Sequence, residues 1–353
     1  MKRRIAAAIT QSMSKPKPIA FSGIQPSGEL HIGNYLGAVK NWVEMQDKYE
    51  MFISIVDLHA ITQAYEPDEM PRSIFDMALT LIAAGLDPEM CTIFVQSDVP
   101  EHSELAWVFM TVTPLGELER MTQYKDKSAR QGSVLAGLLN YPVLQAADIL
   151  LYNAAAVPVG EDQVQHVELT REIARKWNAR YGDYFPEPQA VVGKVRRVLG
   201  LDGQAKMSKS LGNTVSLLDS PDEIWEKVRV GLTDPQRKKR DDPGNPNVCN
   251  IYALHRHFSS AADVAWVEEG CTTAGIGCVE CKRRLTDNMV EELRPIRERA
   301  AELRENPEQV AEVLAFGAQR CRGIAADTMI EVRRRMGLIP AADIVEANPD
   351  EGS

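Results

Sequence analysis

The 353 residues contain no run of 18 apolar side chains, so the chain offers no candidate membrane-spanning helix. Its opening, MKRRIAAAITQSMSKPKP, is basic and free of acid, but its apolar stretch is too short for a secretory signal. An organelle presequence would share that charge; a disordered basic tail over 1–18 is the expectation adopted. Positive charge is not in surplus either. The formal net charge of −10 argues against a general coat for nucleic acid. It leaves only local runs, Lys238-Lys239-Arg240, Lys282-Arg283-Arg284 and Arg333-Arg334-Arg335, as phosphate patches or solvated faces. No internal repeat and no long flexible linker is present.

Two familiar phosphate loops are missing as well. Gly28-Glu-Leu-His-Ile-Gly33 has the glycine spacing of a P-loop, but Asn34-Tyr35 stands where that loop requires Lys followed by Ser or Thr. The pattern G-x-G-x-x-G fails because Gly23 is followed by Ile24-Gln25. What occupies the place is GIQPSGELHIGNYLGA, residues 23–38. The apolar run Pro18-Ile19-Ala20-Phe21-Ser22 before it predicts a strand. Tyr35, Leu36, Val39, Trp42, Val43 and Gln46 after it recur at helical spacing. A strand, a glycine-rich turn and a helix in that order aim helical N–H groups and the positive dipole end at an anion. His31 can donate to a phosphate oxygen there, and Gly33 lets a nucleotide lie against the helix start. Taken alone, the same residues also read as a plain turn carrying a surface histidine.

Composition is that of a globular chain, 44% hydrophobic and 25% charged, with length for about two domains. Phe52–Val56 and Thr92–Gln96 read as buried strands separated by a helical stretch from Pro71 to Gly85, as a parallel sheet wound with helices requires. From about Asp219 onward, Glu, Arg, Ala and Leu recur at helical spacing, notably over 287–305 and 307–336, with no convincing strand. The expected class is α/β: a Rossmann-like parallel-sheet nucleotide domain over 19–218, an α-helical region over 219–345 and a frayed acidic tail over 346–353.

A second basic loop, Lys206-Met207-Ser208-Lys209-Ser210, is followed by Leu211-Gly212-Asn213 and can wrap phosphate oxygens. Paired with the histidine turn, it forms the double signature of class I aminoacyl-tRNA synthetases. Further stretches extend the match: Val56-Asp-Leu-His-Ala-Ile-Thr62, Gly116-Glu-Leu-Glu-Arg-Met-Thr-Gln123, Tyr141-Pro-Val-Leu-Gln-Ala-Ala-Asp148 and Val159-Gly-Glu-Asp-Gln163. Over roughly 19–215 the chain resembles the bacterial-type tryptophanyl-tRNA synthetases, and its helical remainder resembles their anticodon-binding region.

That resemblance implies activation of L-tryptophan with ATP and Mg²⁺, release of pyrophosphate and transfer to tRNA(Trp), by a cytoplasmic homodimer. The tryptophan carboxylate is already ionised near neutrality, so its attack on phosphorus needs alignment and charge stabilisation rather than a base. By resemblance, His31 and Asn34 hold phosphates, while Lys127, Lys206 and Lys209 neutralise the departing pyrophosphate. Gln25, Gly33, Met207, Ser208 and Ser210 complete the ATP contacts, with Gly160 and Asp162 at the ribose. Phe21, His59, Val157 and Val159 form the walls of the amino-acid pocket. Tyr141 and Gln163, with help from Gln25, hold the ammonium and carboxylate. Tyr141, Gln145 and Asp148 fall on one helical face, and Asp148 is the expected acceptor for the indole N–H. Many bacterial relatives carry Met where this chain has Gln145. A Gln-x-x-Asp pair also resembles the phenol-reading arrangement of archaeal-type tyrosyl enzymes, which makes tyrosine the competing substrate. Two further functions share parts of the pattern: a nucleotidyltransferase that forms a small-molecule adenylate, and a noncatalytic RNA-binding relative.

Four of the six cysteines, Cys249, Cys271, Cys278 and Cys281, follow C-x21-C-x6-C-x2-C, a recognisable metal-site pattern. Zinc is the usual occupant of four cysteines, and free thiols are the bland reading. A subset of bacterial tryptophanyl-tRNA synthetases resembles this chain in carrying a [4Fe-4S] cluster at nearly this spacing, the first interval shifted by one residue. That resemblance implies a structural or RNA-facing cluster, with Lys282-Arg283-Arg284 placed to meet anticodon phosphates. No role is given to His255 or His257, His102 and His166 fall outside the signature, and Cys91 and Cys321 read as packed thiols.

Overall fold

The computed structural model describes residues 17–129, 133–193, 195, 198–208 and 211–338, apart from the Lys127 side chain. Five parallel strands form one sheet: β1 Ile19–Ile24, β2 Glu50–Ile55, β3 Cys91–Val95, β4 Ala156–Val159 and β5 Gln189–Val192. Their order is β3-β2-β1-β4-β5. The chain therefore steps outward one way from β1 and then the other way, and the reversal falls between β1 and β4. In an open parallel sheet that reversal leaves a crevice outside the strands' carboxyl ends, the ordinary place for a ligand.

The strands are buried on both faces because helices cover each, and side chains alternate between two cores. Met51, Ile53 and Ile55 of β2 enter one core, which takes Met77, Leu79 and Leu81 from the helix Met70–Ala83 and continues into Leu285, Met289 and Leu293 of the helix Cys278–Glu305. Phe52 of β2 and Phe94 of β3 enter the other. That core is closed by the helices Glu101–Met110, Ala136–Leu150, Val164–Tyr181 and Pro307–Arg335. Downstream of 219 the described residues carry no strand, as the helical spacing implies.

The last of these helices returns to cover the β3 edge, which would otherwise expose unpaired backbone groups. Thr328 Oγ1 donates to Leu151 O at 2.8 Å, and Arg320 Nη1 donates to Thr92 Oγ1 at 2.8 Å. Its approach to β3 depends on Gly317: a Cβ there would lie 2.0 Å from Ile93 O. Glycine to alanine in a helix normally gains up to about 1 kcal/mol. Here the helix must lift away from β3, at a cost of roughly 1–3 kcal/mol for overpacking. Gly317→Ala is therefore expected to lower the urea midpoint of unfolding, and a raised midpoint would contradict this packing.

Candidate functional site

A cavity of about 420 Å³ opens at the reversal between β1 and β4. β1 and the turn after it supply Phe21 and Gln25; β4 and its turn supply Val157, Val159, Gly160, Asp162 and Gln163. The short helix Asp57–Ala60 after β2 supplies His59, and the first helical turn after β1 supplies Asn34. From the helix Ala136–Leu150 come Tyr141, Gln145 and Asp148, whose spacing of four and three puts them on one face. Twelve of the residues singled out in the sequence thus share one wall-to-wall space.

Asp148 is 1% exposed at the cavity floor, and its carboxylate is surrounded by donors. Oδ1 lies 2.7 Å from Gln96 Nε2 and 2.6 Å from His102 Nδ1, and Oδ2 lies 2.8 Å from His59 Nε2. Burial alone would raise this carboxyl's pKa. The hydrogen bond from His102 and the charge and hydrogen bond of His59 outweigh burial and hold it well below the usual carboxylate range. His59 is therefore more than a wall of the pocket, since its ring binds the carboxylate. His102, given no role from the sequence, is fully buried, and its Nε2 meets Tyr152 Oη at 2.8 Å.

At the other rim, Tyr141 Oη lies 3.1 Å from Gln123 Oε1 and 2.9 Å from His166 Nε2. Burial, aided by the Asp162 charge, pushes this phenol up to about 12, so it stays protonated. His166 and Gln123 thus fix a residue of the cavity wall, a role their sequence positions do not disclose. A Cβ at Gly160 would lie 2.8 Å from Asp162 Oδ1, so a side chain there would displace the Asp162 carboxylate from its present position.

The histidine turn is arranged differently from the open helix end that the sequence implies. Gly33 N–H and Asn34 N–H both donate to His31 Nδ1, at 3.1 and 3.3 Å, so these two amides serve the ring rather than a ligand. With Nδ1 accepting, a neutral His31 carries its proton on Nε2, the atom that can donate to an anion. The turn is stitched to the segment beyond the second basic loop: Ile32 N donates to Val215 O at 2.9 Å and Leu217 N to Leu30 O at 3.0 Å. A Cβ at Gly33 would meet His31 Nδ1 at 2.9 Å and Met207 Cβ at 3.2 Å, so glycine lets the two signatures touch. Ser208 N donates to Asn213 Oδ1 at 2.8 Å, and Asn213 Nδ2 donates to Asp202 Oδ2 at 2.7 Å, bracing the loop. Lys206 is exposed and Met207 buried. Lys209, Ser210, the Lys127 side chain, residues 1–16 of the basic tail, residues 339–345 and the whole acidic tail over 346–353 lie outside the described residues.

Far from this cavity, Cys249, Cys271, Cys278 and Cys281 line one small apolar space with Ile276, Val267 and Pro246. All are free thiols. Burial first, then the neighbouring Cys249, Cys271 and Cys278, push Cys281 up to about 12. Among the described residues, however, no three His, Cys, Asp or Glu side chains are gathered as a single ion would need. Arg237 Nη1 lies 3.8 Å from Cys271 Sγ, and its Nη2 donates to Ile276 O at 2.7 Å. His255 sits behind the thiols, with Nε2 3.1 Å from Cys281 O. Cys278 and Arg237 also face a cleft of about 950 Å³ lined by Lys238, Lys239, Arg240, Arg283, Arg284 and Trp266. Two of the basic runs therefore share one surface. The third does not: Arg333 pairs with Glu104, and Arg334 and Arg335 pair with Glu331.

With this geometry in place, comparison with known proteins is direct. Residues 13–294 match the family model described as tRNA synthetases class I (W and Y). The tryptophan–tRNA ligase of Deinococcus radiodurans is 54% identical, over 90% of this chain and 98% of its own. That of Thermotoga maritima is 47% identical, over 90% of this chain and 99% of its own. The crystal structure of tryptophanyl-tRNA synthetase from Campylobacter jejuni, complexed with ADP and tryptophan, superposes with a TM-score of 0.83 at 38% identity, covering 90% of this chain and 99% of that one.

Proposed function

The chain belongs to the class I tRNA synthetases for tryptophan and tyrosine, and on that premise we propose how its cavity performs the tryptophan–tRNA ligase reaction. The observation that carries the reading is the Asp148 carboxylate. A carboxylate offers about four acceptor positions. Gln96 and His102 take both on Oδ1, and His59 takes one on Oδ2. The remaining position on Oδ2 receives the indole N–H, with Phe21, Val157 and Val159 as the apolar walls around the ring and Gln145 beside it. A side chain without a donor leaves that buried charge one partner short, which selects against phenylalanine.

Tyr141, Gln163 and Gln25 then hold the ammonium and carboxylate, which turns the carboxylate toward the nucleotide side of the cavity. ATP enters as its Mg²⁺ complex. His31 and Asn34 meet its phosphates, Gly33 allows close approach, and Gly160 and Asp162 meet the ribose. A tryptophan carboxylate oxygen bonds to the α-phosphorus as the bond to the β-phosphate's bridging oxygen breaks. The electron pair leaves with pyrophosphate, whose charge Lys206, Lys209 and Lys127 stabilise, with Met207, Ser208 and Ser210 shaping the loop around it. A ribose hydroxyl of the tRNA's terminal adenosine next attacks the acyl carbon, and AMP departs.

In this reading residues 19–218 form the adenylate-making domain and 219–345 the anticodon-binding region. Two copies pair through the nucleotide domain, and the enzyme works in the cytoplasm. The cleft bearing Lys238, Lys239, Arg240, Arg283 and Arg284 is the surface for tRNA phosphates. The four cysteines fit a [4Fe-4S] cluster as a donor set. They line one apolar space, and Arg237 can balance negative charge. When bound, such a cluster would crosslink the segments around 249, 271 and 278–281; adenylate formation makes no use of it.

Two measurements test these statements. Exchange of labelled pyrophosphate into ATP is expected to depend on tryptophan; exchange with tyrosine and none with tryptophan would overturn the substrate. Anaerobic purification is expected to yield about four iron and four sulfide per chain. Stoichiometric zinc without sulfide would overturn the cluster, and a folded protein without metal would overturn the site.

A further inference from the structure

We propose that His102 does more than fill one acceptor position on Asp148: it is the positioning residue that makes that carboxylate selective for a ring bearing N–H. The inference rests on Asp148 being the indole acceptor. His102 is fully buried, carried at the start of the helix Glu101–Met110, and touches Asp148 and Tyr152 through its two ring nitrogens. Its tautomer follows from those partners. A carboxylate oxygen 2.6 Å from Nδ1 can only accept, so Nδ1 carries the proton. A neutral ring then leaves Nε2 as an acceptor, and Tyr152 Oη at 2.8 Å supplies its hydroxyl proton to it. Tyr152 is itself 1% exposed, stacked against Phe21 and Phe52, and hydrogen-bonded to Cys321 of the Pro307–Arg335 helix. Hydroxyl, imidazole and carboxylate therefore form a chain in which every proton points toward Asp148.

Two consequences follow. Oδ1 is saturated by His102 and Gln96, so the carboxylate cannot rotate to offer it to a ligand, and the open position stays on Oδ2. The carboxylate is also committed to accepting, because the three donors around it, Gln96, His102 and His59, are already directed at it. A ligand without a proton to give meets an anion one partner short, whereas an N–H completes the set. Without His102, Oδ1 keeps only Gln96 and has a vacated position to offer, which weakens the distinction between the indole N–H and a ring atom that cannot donate.

The test compares tryptophan with 3-(benzothiophen-3-yl)alanine, its isostere with sulfur in place of N–H, in pyrophosphate exchange by the full chain. His102→Leu is expected to raise KM for tryptophan about 10- to 100-fold, the scale of one lost hydrogen bond to a charged group. Turnover should change less, and the preference for tryptophan over the sulfur analogue should shrink. His102→Asn, whose amide N–H replaces the Nδ1 donor, should recover most of that preference. Equal losses for both substrates, or no recovery with His102→Asn, would make His102 a packing residue and overturn the proposal. Should His102→Leu not fold, Tyr152→Phe decides: a reduced preference supports the chain of donors, and an unchanged one overturns it. Wild-type enzyme that uses both substrates equally would instead overturn the reading of Asp148 itself, and this inference with it.

Discussion

The rest of the site depends on keeping one carboxylate ionised where water does not reach it. An unpaired buried carboxylate costs several kcal/mol, and removing an ionic partner from a buried pair costs about 3–5 kcal/mol. Asp148 is held by Gln96, His102 and His59, all within 2.8 Å. These come from separate parts of the fold: His59 follows β2, Gln96 and His102 follow β3, and Asp148 belongs to the helix Ala136–Leu150. The carboxylate thus ties the carboxyl ends of two strands to the helix that floors the cavity. In the proposed reading the same arrangement makes the pocket a reader of N–H groups, so stability and specificity would share one set of hydrogen bonds.

The nucleotide side is built on another constraint, the contact of two loops remote in sequence. Backbone bonds from Ile32 to Val215 and from Leu217 to Leu30 hold the histidine turn beside the segment after the lysine loop. His31 caps its own helix through Nδ1, which fixes the ring. The Gly33 and Asn34 amides are therefore engaged by His31 rather than left as bare helix N–H groups.

Much of this is legible in the sequence, and the limits are physical. Strands β2 and β3 announce themselves as mostly apolar runs, interrupted only by small polar residues such as Ser54 and Thr92, because both faces are covered. β4 and β5 do not. Each has four residues, and β4 carries Pro158, which local pattern assigns to a turn. The spacing of Tyr141, Gln145 and Asp148 places three cavity residues on one helical face, and the structure brings Phe21, His59, Val157 and Gln163 to meet them. What spacing cannot reveal are the supporting contacts. His102 and His166 join Asp148 and Tyr141 across 46 and 25 residues, distances over which sequence carries no contact signal. Nor can it show that Gly33 and Asn34 spend their amides on His31, since a cap and a ligand site share the same residue types. In the helical half, the cysteine spacing implies neighbours in space, and the four thiols do line one cavity; nothing in that spacing points to Arg237 and His255 beside them.

The most direct test is a crystal structure of the enzyme with tryptophan bound. The expected result is the indole nitrogen about 3 Å from Asp148 Oδ2, with Oδ1 still held by His102 and Gln96. An indole nitrogen placed against Gln145, or a carboxylate turned to offer Oδ1, would contradict it.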